Sequence, residues 1–205
     1  MTYKTHAAIG IGTSSFLIPT NDVKTILAGI TLAIAGSLIV DVDTPSSKAA
    51  VFIKNIICFS AIIILINVFL LQTYNINLIN YITQNQELQR LAPGIISLIM
   101  LIIIGLNSKH RYFTHSIPIF LAFTTAVYFI VGQFYIWFSV GYIMHILVDL
   151  LNEKPVNLFY PLKKGFCLGI CKSSGIVDNT LFIVFSIITV MRYDHFIGFL
   201  TIAYR

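Results

Sequence analysis

The run "PGIISLIMLIIIGLNS" (93–108), the break "KHRYFTHS" (109–116) and the run "IPIFLAFTTAVYFIVG" (117–132) follow one another without a gap. Each run approaches the ~20 residues that a helix needs to cross a bilayer. The break between them holds a lysine, an arginine and two histidines. Ionisable groups are expensive at membrane depth, so a cluster placed there marks either the water boundary or a working site.

The rest of the chain agrees with a membrane solvent. Of 205 residues, 57% are hydrophobic and only 10% charged, against about 25% charged in soluble domains, and the mean hydropathy is +0.88. Apolar segments fall at roughly 7–18, 25–40, 51–71, 94–107, 116–132, 134–150 and 179–200. They predict an all-α, polytopic membrane helical bundle, one unit over residues 1–205. The first segment is short, a half-span or a partner paired tightly with the second through "PTND", where Asp22 is placed to cap a helix. The N-terminus has a basic start but no A-x-A cleavage site, so it is expected to be retained. The longest polar parts are 72–92 and 151–178.

Net charge is +5, which suits loops beside anionic lipid. No basic run is interleaved with aromatics, so nucleic acid is not an expected partner. Cys58 sits in an apolar run, and Cys167 and Cys171 form one C-x3-C without the second pair a zinc site needs.

Counting segments as alternate crossings brings His6, Asp41, Asp43, His110, His115, His145 and Asp149 to one face. The 72–92 stretch and the C-terminus fall on the other, as does His195. Most lysines accompany the histidines, and the positive-inside rule makes that face cytoplasmic.

Three motifs carry the chemistry. In "GSLIVDVDTPSS" (36–47), Asp41 and Asp43 end an apolar helix, and two carboxylates so close repel unless a cation lies between them. In "HILVD" (145–149), His145 and Asp149 stand at i, i+4 on one helix face. In "HRYFTHS" (110–116), His110 and His115 converge only across a loop-to-helix junction, which Thr114 or Ser116 could cap. Arg111 offers a fork matched to phosphate. Taken singly, these motifs also fit a helix end, a His–Asp hydrogen bond and an interfacial histidine. With His6 near the N-terminus, they place three of the chain's eight acidic residues beside four of its five histidines, and a mixed N/O set suits zinc, with manganese as the alternative.

Threonine and histidine at 5–6, "GSLIVDVDTPSS", "HRYFTHS" and "GYIMHILVDLLNEKPVNLFYPL" (141–162), in that order, resemble the YdjM-like family. Its members are described as inner-membrane metal-dependent hydrolases of bacteria, some under LexA regulation, distantly similar to zinc-dependent phospholipase C and P1-type nucleases. The resemblance implies metal ligands at His6, Asp41, Asp43, His110, His115, His145 and Asp149. The chain departs from the family pattern at Val40 and Thr44, where proline and histidine are common, and at "NEKPVN", where T-P-x-G is common.

The expectation is a membrane-bound metal-dependent hydrolase acting on a phosphoester, a lipid one being the more natural substrate at a bilayer surface. Asp43 serves as general base and Arg111 steadies an anionic, phosphate-bearing substrate, with membrane lipids as partners. The alternatives are a metal-binding transporter and a regulatory membrane protein without hydrolysis; a transporter calls for ligands spread through the membrane depth.

Overall fold

The computed structural model describes residues 1–18, 22–44, 51, 71–72 and 86–203. Residues 52–70 of the expected segment at 51–71, Cys58 among them, and residues 73–85 of the 72–92 stretch lie outside them. Six helices are described: α1 (Tyr3–Ser14), α2 (Val23–Ile39), α3 (Gln86–Leu106), α4 (Ile117–Val131), α5 (Tyr135–Leu150) and α6 (Ile176–Ala203). A 3-10 turn, Val40–Asp43, continues α2, and another, Gly132–Phe134, joins α4 to α5. Among the described residues there is no strand, only the isolated bridges Asn152–Cys171 and Val156–Phe166 in the loop before α6.

Local chemistry sets the helix limits. Asp22 caps α2, accepting the Thr25 N–H at 2.9 Å and its hydroxyl at 2.8 Å; these bonds hold its carboxyl below the usual value. The helical stretch Ile117–Leu150 is apolar throughout, but Gly132 at φ +60° breaks it, a conformation glycine adopts without steric cost. The two limbs fold back on each other: Tyr128 meets Tyr135 and Phe123 meets Tyr142, with ring centroids 5.3 and 5.6 Å apart.

Two element starts differ from expectation. α3 begins at Gln86 rather than near 94, because "QELQRLA" is rich in helix formers and carries the helix through Pro93. α6 begins at Ile176, so Asp178 lies in its first turn and caps from inside, accepting the Ser174 N–H at 3.1 Å. Ser116 stands at the N-cap of α4, yet its hydroxyl turns back to the Phe113 carbonyl.

α2 packs along α5, and α1 lies against α2, α5 and α6. Small residues set the spacing. A Cβ on Gly36 would stand 2.0 Å from the Phe138 carbonyl oxygen, and one on Gly141 would stand 2.2 Å from that of Ala33. Apolar contact gives helices little net drive to associate in lipid, so close backbone approach and interhelical hydrogen bonds take over. Ser37, fully buried at this crossing, donates to the Ala33 carbonyl at 2.8 Å. Val40, Phe123, Val127, Phe138, Tyr142 and Ile146 form the adjoining core. The described residues include four helical stretches long and apolar enough to cross a membrane.

Candidate metal centre

One end of the bundle collects the start of α1, the end of α2, the junction between α3 and α4, and the end of α5. The 3-10 turn after α2 separates its two carboxylates. A 3-10 helix advances about 120° per residue, so Asp41 and Asp43 point to different sides, while Val40 before them and Val42 between them are fully buried.

Asp41 faces His145 and His115: its Oδ1 lies 3.6 Å from His145 Nε2 and 3.9 Å from His115 Nε2. Asp149 Oδ2 lies 3.4 Å from His115 Nε2 and 4.0 Å from His145 Nε2. Its Oδ1 lies 3.4 Å from His6 Nε2 and 3.1 Å from the Met1 amine. The rings of His6 and His145 stack, with centroids 3.7 Å apart. Arg111, buried, pairs with Asp149 Oδ2 at 2.8 Å and donates to the Lys154 carbonyl. Its backbone takes φ +65°, a left-handed conformation that costs a non-glycine residue about 1–2 kcal/mol. Two bonds hold it there: the Arg111 N–H donates to Asp43 Oδ2 and the Asn157 N–H donates to the Arg111 carbonyl, both at 3.0 Å.

Asp43 faces the junction instead. Its Oδ2 accepts the Thr114 hydroxyl at 2.7 Å as well as the Arg111 N–H, and its Oδ1 lies 2.8 Å from His110 Nδ1. Thr44, where the family pattern commonly has histidine, places its hydroxyl 2.8 Å from the same nitrogen.

The network assigns the ring nitrogens. His145 Nδ1 lies 2.6 Å from the Ser37 carbonyl, which can only accept, so Nδ1 carries the hydrogen and Nε2 the lone pair. The single Thr114 hydroxyl proton goes to Asp43, so that oxygen accepts from His115 Nδ1 at 3.1 Å and leaves His115 Nε2 facing the carboxylates. His115 Nε2 and His145 Nε2 are both buried without a hydrogen bond. Burial pushes the His115 imidazole toward neutrality, but the Asp149 and Asp43 carboxylates outweigh it and raise its pKa to about 9.

These orphaned nitrogens fit a cation. Four donors — Asp41 Oδ1, His115 Nε2, His145 Nε2 and Asp149 Oδ2 — are spaced 3.4–4.0 Å apart at the four separations given above. Tetrahedral zinc with bonds of 2.0–2.1 Å has donor separations of about 3.3 Å, shorter than each of these four, so the donors must move inward to hold an ion; Asp41, His115 and His145 bring one donor each within 4.8 Å of one another. The triads His6–His145–Asp149 and Asp43–His110–His115 also bring one donor from each residue within 4.8 Å. All seven sequence-identified ligand candidates therefore converge, with Arg111 among them. Tyr142, Ser37 and Thr114 were missed as supports: the Tyr142 hydroxyl donates to the Thr114 carbonyl, and Ser37 acts through a backbone oxygen that has no side-chain signature.

The architecture and this cluster define an all-helical membrane protein with groups able to bind a metal ion at one end of its bundle. Residues 1–204 match the family model described as YdjM inner membrane protein. The chain belongs to that family. No curated protein and no solved structure gives a significant match.

Proposed function

We propose that this chain is a multi-pass enzyme of the bacterial inner membrane that hydrolyses a phosphoester, most naturally a lipid one, with a divalent cation, zinc before manganese. The observation that carries this reading is the pair of buried, orphaned Nε2 atoms of His115 and His145 facing Asp41 and Asp149. His115, His145, Asp41 and Asp149 would hold the cation, with His6 at its flank. When bound, a divalent cation supplies Lewis acidity to a phosphoryl oxygen and to water.

The chain's own groups supply the rest. Arg111 keeps Asp149 in place and puts positive charge beside the cluster. Asp43, the base expected from sequence, has both oxygens engaged, so it acts as a positioning residue. His110, with a 40% exposed side chain and its Nδ1 held by Asp43, takes the proton-transfer role. Its Nε2 accepts a proton from water as the water oxygen bonds to phosphorus, then returns it to the leaving alkoxide oxygen as the ester P–O bond breaks. Asp41, 21% exposed, gives the cluster an opening to the membrane surface. A transporter would call for ligands through the membrane depth, whereas these sit at one end of the helices. Lys4, Lys109, Lys154 and Lys163 lie at the same end, which favours a cytoplasmic site face.

The test is metal content after purification in mild detergent, wild type against His145→Ala, followed by hydrolysis of short-chain phospholipids by zinc- and manganese-loaded protein. A stoichiometric ion in wild type, its loss in the variant and metal-dependent release of a phosphorylated headgroup or free phosphate are expected. Metal-free wild type, or equal metal in both proteins, overturns the centre; tightly bound metal without hydrolysis overturns the enzyme.

A further inference from the structure

On the outer side of the junction, away from the inward-facing His115, lies a cavity of about 710 Å³. This is within the ~300–1,000 Å³ usual for small-molecule sites. One wall is apolar and belongs to a membrane helix: Ile103 and Ile104 of α3, each exposed. The opposite rim is cationic, with Lys109 from the junction and Lys163 from the loop before α6. Lys164, next in sequence, is turned away over the Phe166 ring, its Nζ 5.6 Å from the centroid.

The walls are fixed. The Tyr112 hydroxyl donates to the Pro161 carbonyl at 3.1 Å, and Tyr160 meets Tyr112 and Phe113 edge-on at 5.3 and 5.4 Å. Tyrosines with an apolar body and a polar tip are the residues that settle at the headgroup level. A helix C-terminus ordinarily repels anions, but the end of α3 is covered. The Asn107 amide donates to the Ile103 carbonyl at 2.7 Å, and the Ser108 hydroxyl to that of Gly105 at 2.9 Å.

We propose that this groove binds one anionic phospholipid of the surrounding bilayer, its headgroup phosphate between Lys109 and Lys163 and an acyl chain along Ile103 and Ile104. An apolar wall at bilayer depth, a tyrosine pair at the boundary and two lysines above match the three zones of such a lipid in order. The assignment does not depend on hydrolysis at the metal centre.

The protein is reconstituted in phosphatidylcholine vesicles with trace spin-labelled phosphatidylglycerol or spin-labelled phosphatidylcholine, and the immobilised fraction is read by electron paramagnetic resonance. Wild type is expected to hold phosphatidylglycerol in preference to phosphatidylcholine. Lys109→Gln/Lys163→Gln should weaken that preference by about 5-fold for each lysine removed. Lys4→Gln/Lys172→Gln, which removes equal charge outside the groove, should retain it. The proposal is overturned if wild type has no preference, if the groove variant keeps it, or if the control loses as much. Displacement of the lipid by millimolar inorganic phosphate would also overturn it, assigning the lysines to a soluble anion.

Discussion

Gly141→Ala tests whether the helix crossing and the candidate metal centre are one structure. A Cβ at this position stands 2.2 Å from the Ala33 carbonyl oxygen and 3.0 Å from the Ser37 nitrogen. Real Cβ contacts essentially never fall under 3.0 Å, so α5 must retreat from α2 by about 0.8 Å or more. His145 lies one turn further on the same face of α5, and its Nδ1 bond to the Ser37 carbonyl begins at 2.6 Å. The same displacement stretches that bond to about 3.4 Å, near the limit of useful geometry. Overpacking costs about 1–3 kcal/mol, partly offset by alanine's better helix propensity, about 1 kcal/mol. Loosening the group that orients a metal-binding histidine costs roughly 10–100-fold in affinity. Thermal unfolding in detergent and zinc competition with a chromophoric chelator measure the two effects. A lower melting temperature together with weakened zinc binding is expected. An unchanged melting temperature and unchanged zinc affinity would refute the coupling.

Arg111→Ala should destabilise by about 1–3 kcal/mol, since Asp149 loses its guanidinium but keeps His6 and His115 beside it. Arg111→Gly should be milder by about 1 kcal/mol because glycine accepts φ +65° without strain; thermal denaturation ranks the pair. Asp43→Asn replaces an acceptor with a donor against the Arg111 N–H, the Thr114 hydroxyl or His110. It should cost about 1–3 kcal/mol and weaken zinc binding in the chelator assay without removing a direct ligand. His115, with its pKa raised to about 9, carries a proton at neutral pH in the metal-free protein. Zinc loading should therefore release that proton, and apparent affinity should strengthen as pH rises toward 9; calorimetry in buffers of different ionisation enthalpy detects the release. Single cysteines at Gln86 and Lys154 should label from opposite membrane faces, because α3 places its 21 residues between Gln86 and the site end.

The apolar runs at 25–40, 116–132 and 134–150 announce α2, α4 and α5 because polar or glycine-bearing breaks bound them. The starts of α3 and α6 were less legible: α3 opens on the polar QELQ, and Asp178 and Asn179 interrupt the apolar start of α6, so both read equally as loop or emerging helix. Histidine and aspartate are rare enough in this chain that their gathering could be read by counting crossings. The division of labour between Asp41 and Asp43 could not, since it depends on whether α2 continues as α-helix or tightens to 3-10. Nor could the glycine crossing, where the contacts are between backbones and leave no side-chain pattern.

Asp149 is where distant parts of the polypeptide meet: His6 from α1, and Arg111 and His115 from the junction, all reach its two oxygens. During synthesis, His6, Arg111 and His115 enter the bilayer boundary well before this carboxylate has been made. Until α5 arrives, His115 and Arg111 have Asp43 of the turn after α2 as their carboxylate partner, whereas the carboxylate that His6 meets is still to come. Asp149 is thus the group through which α1 and the junction between α3 and α4 are tied to each other, ahead of α6, which is made later and packs on α1. A chain that ends short of α5 lacks the carboxylate that joins these two regions.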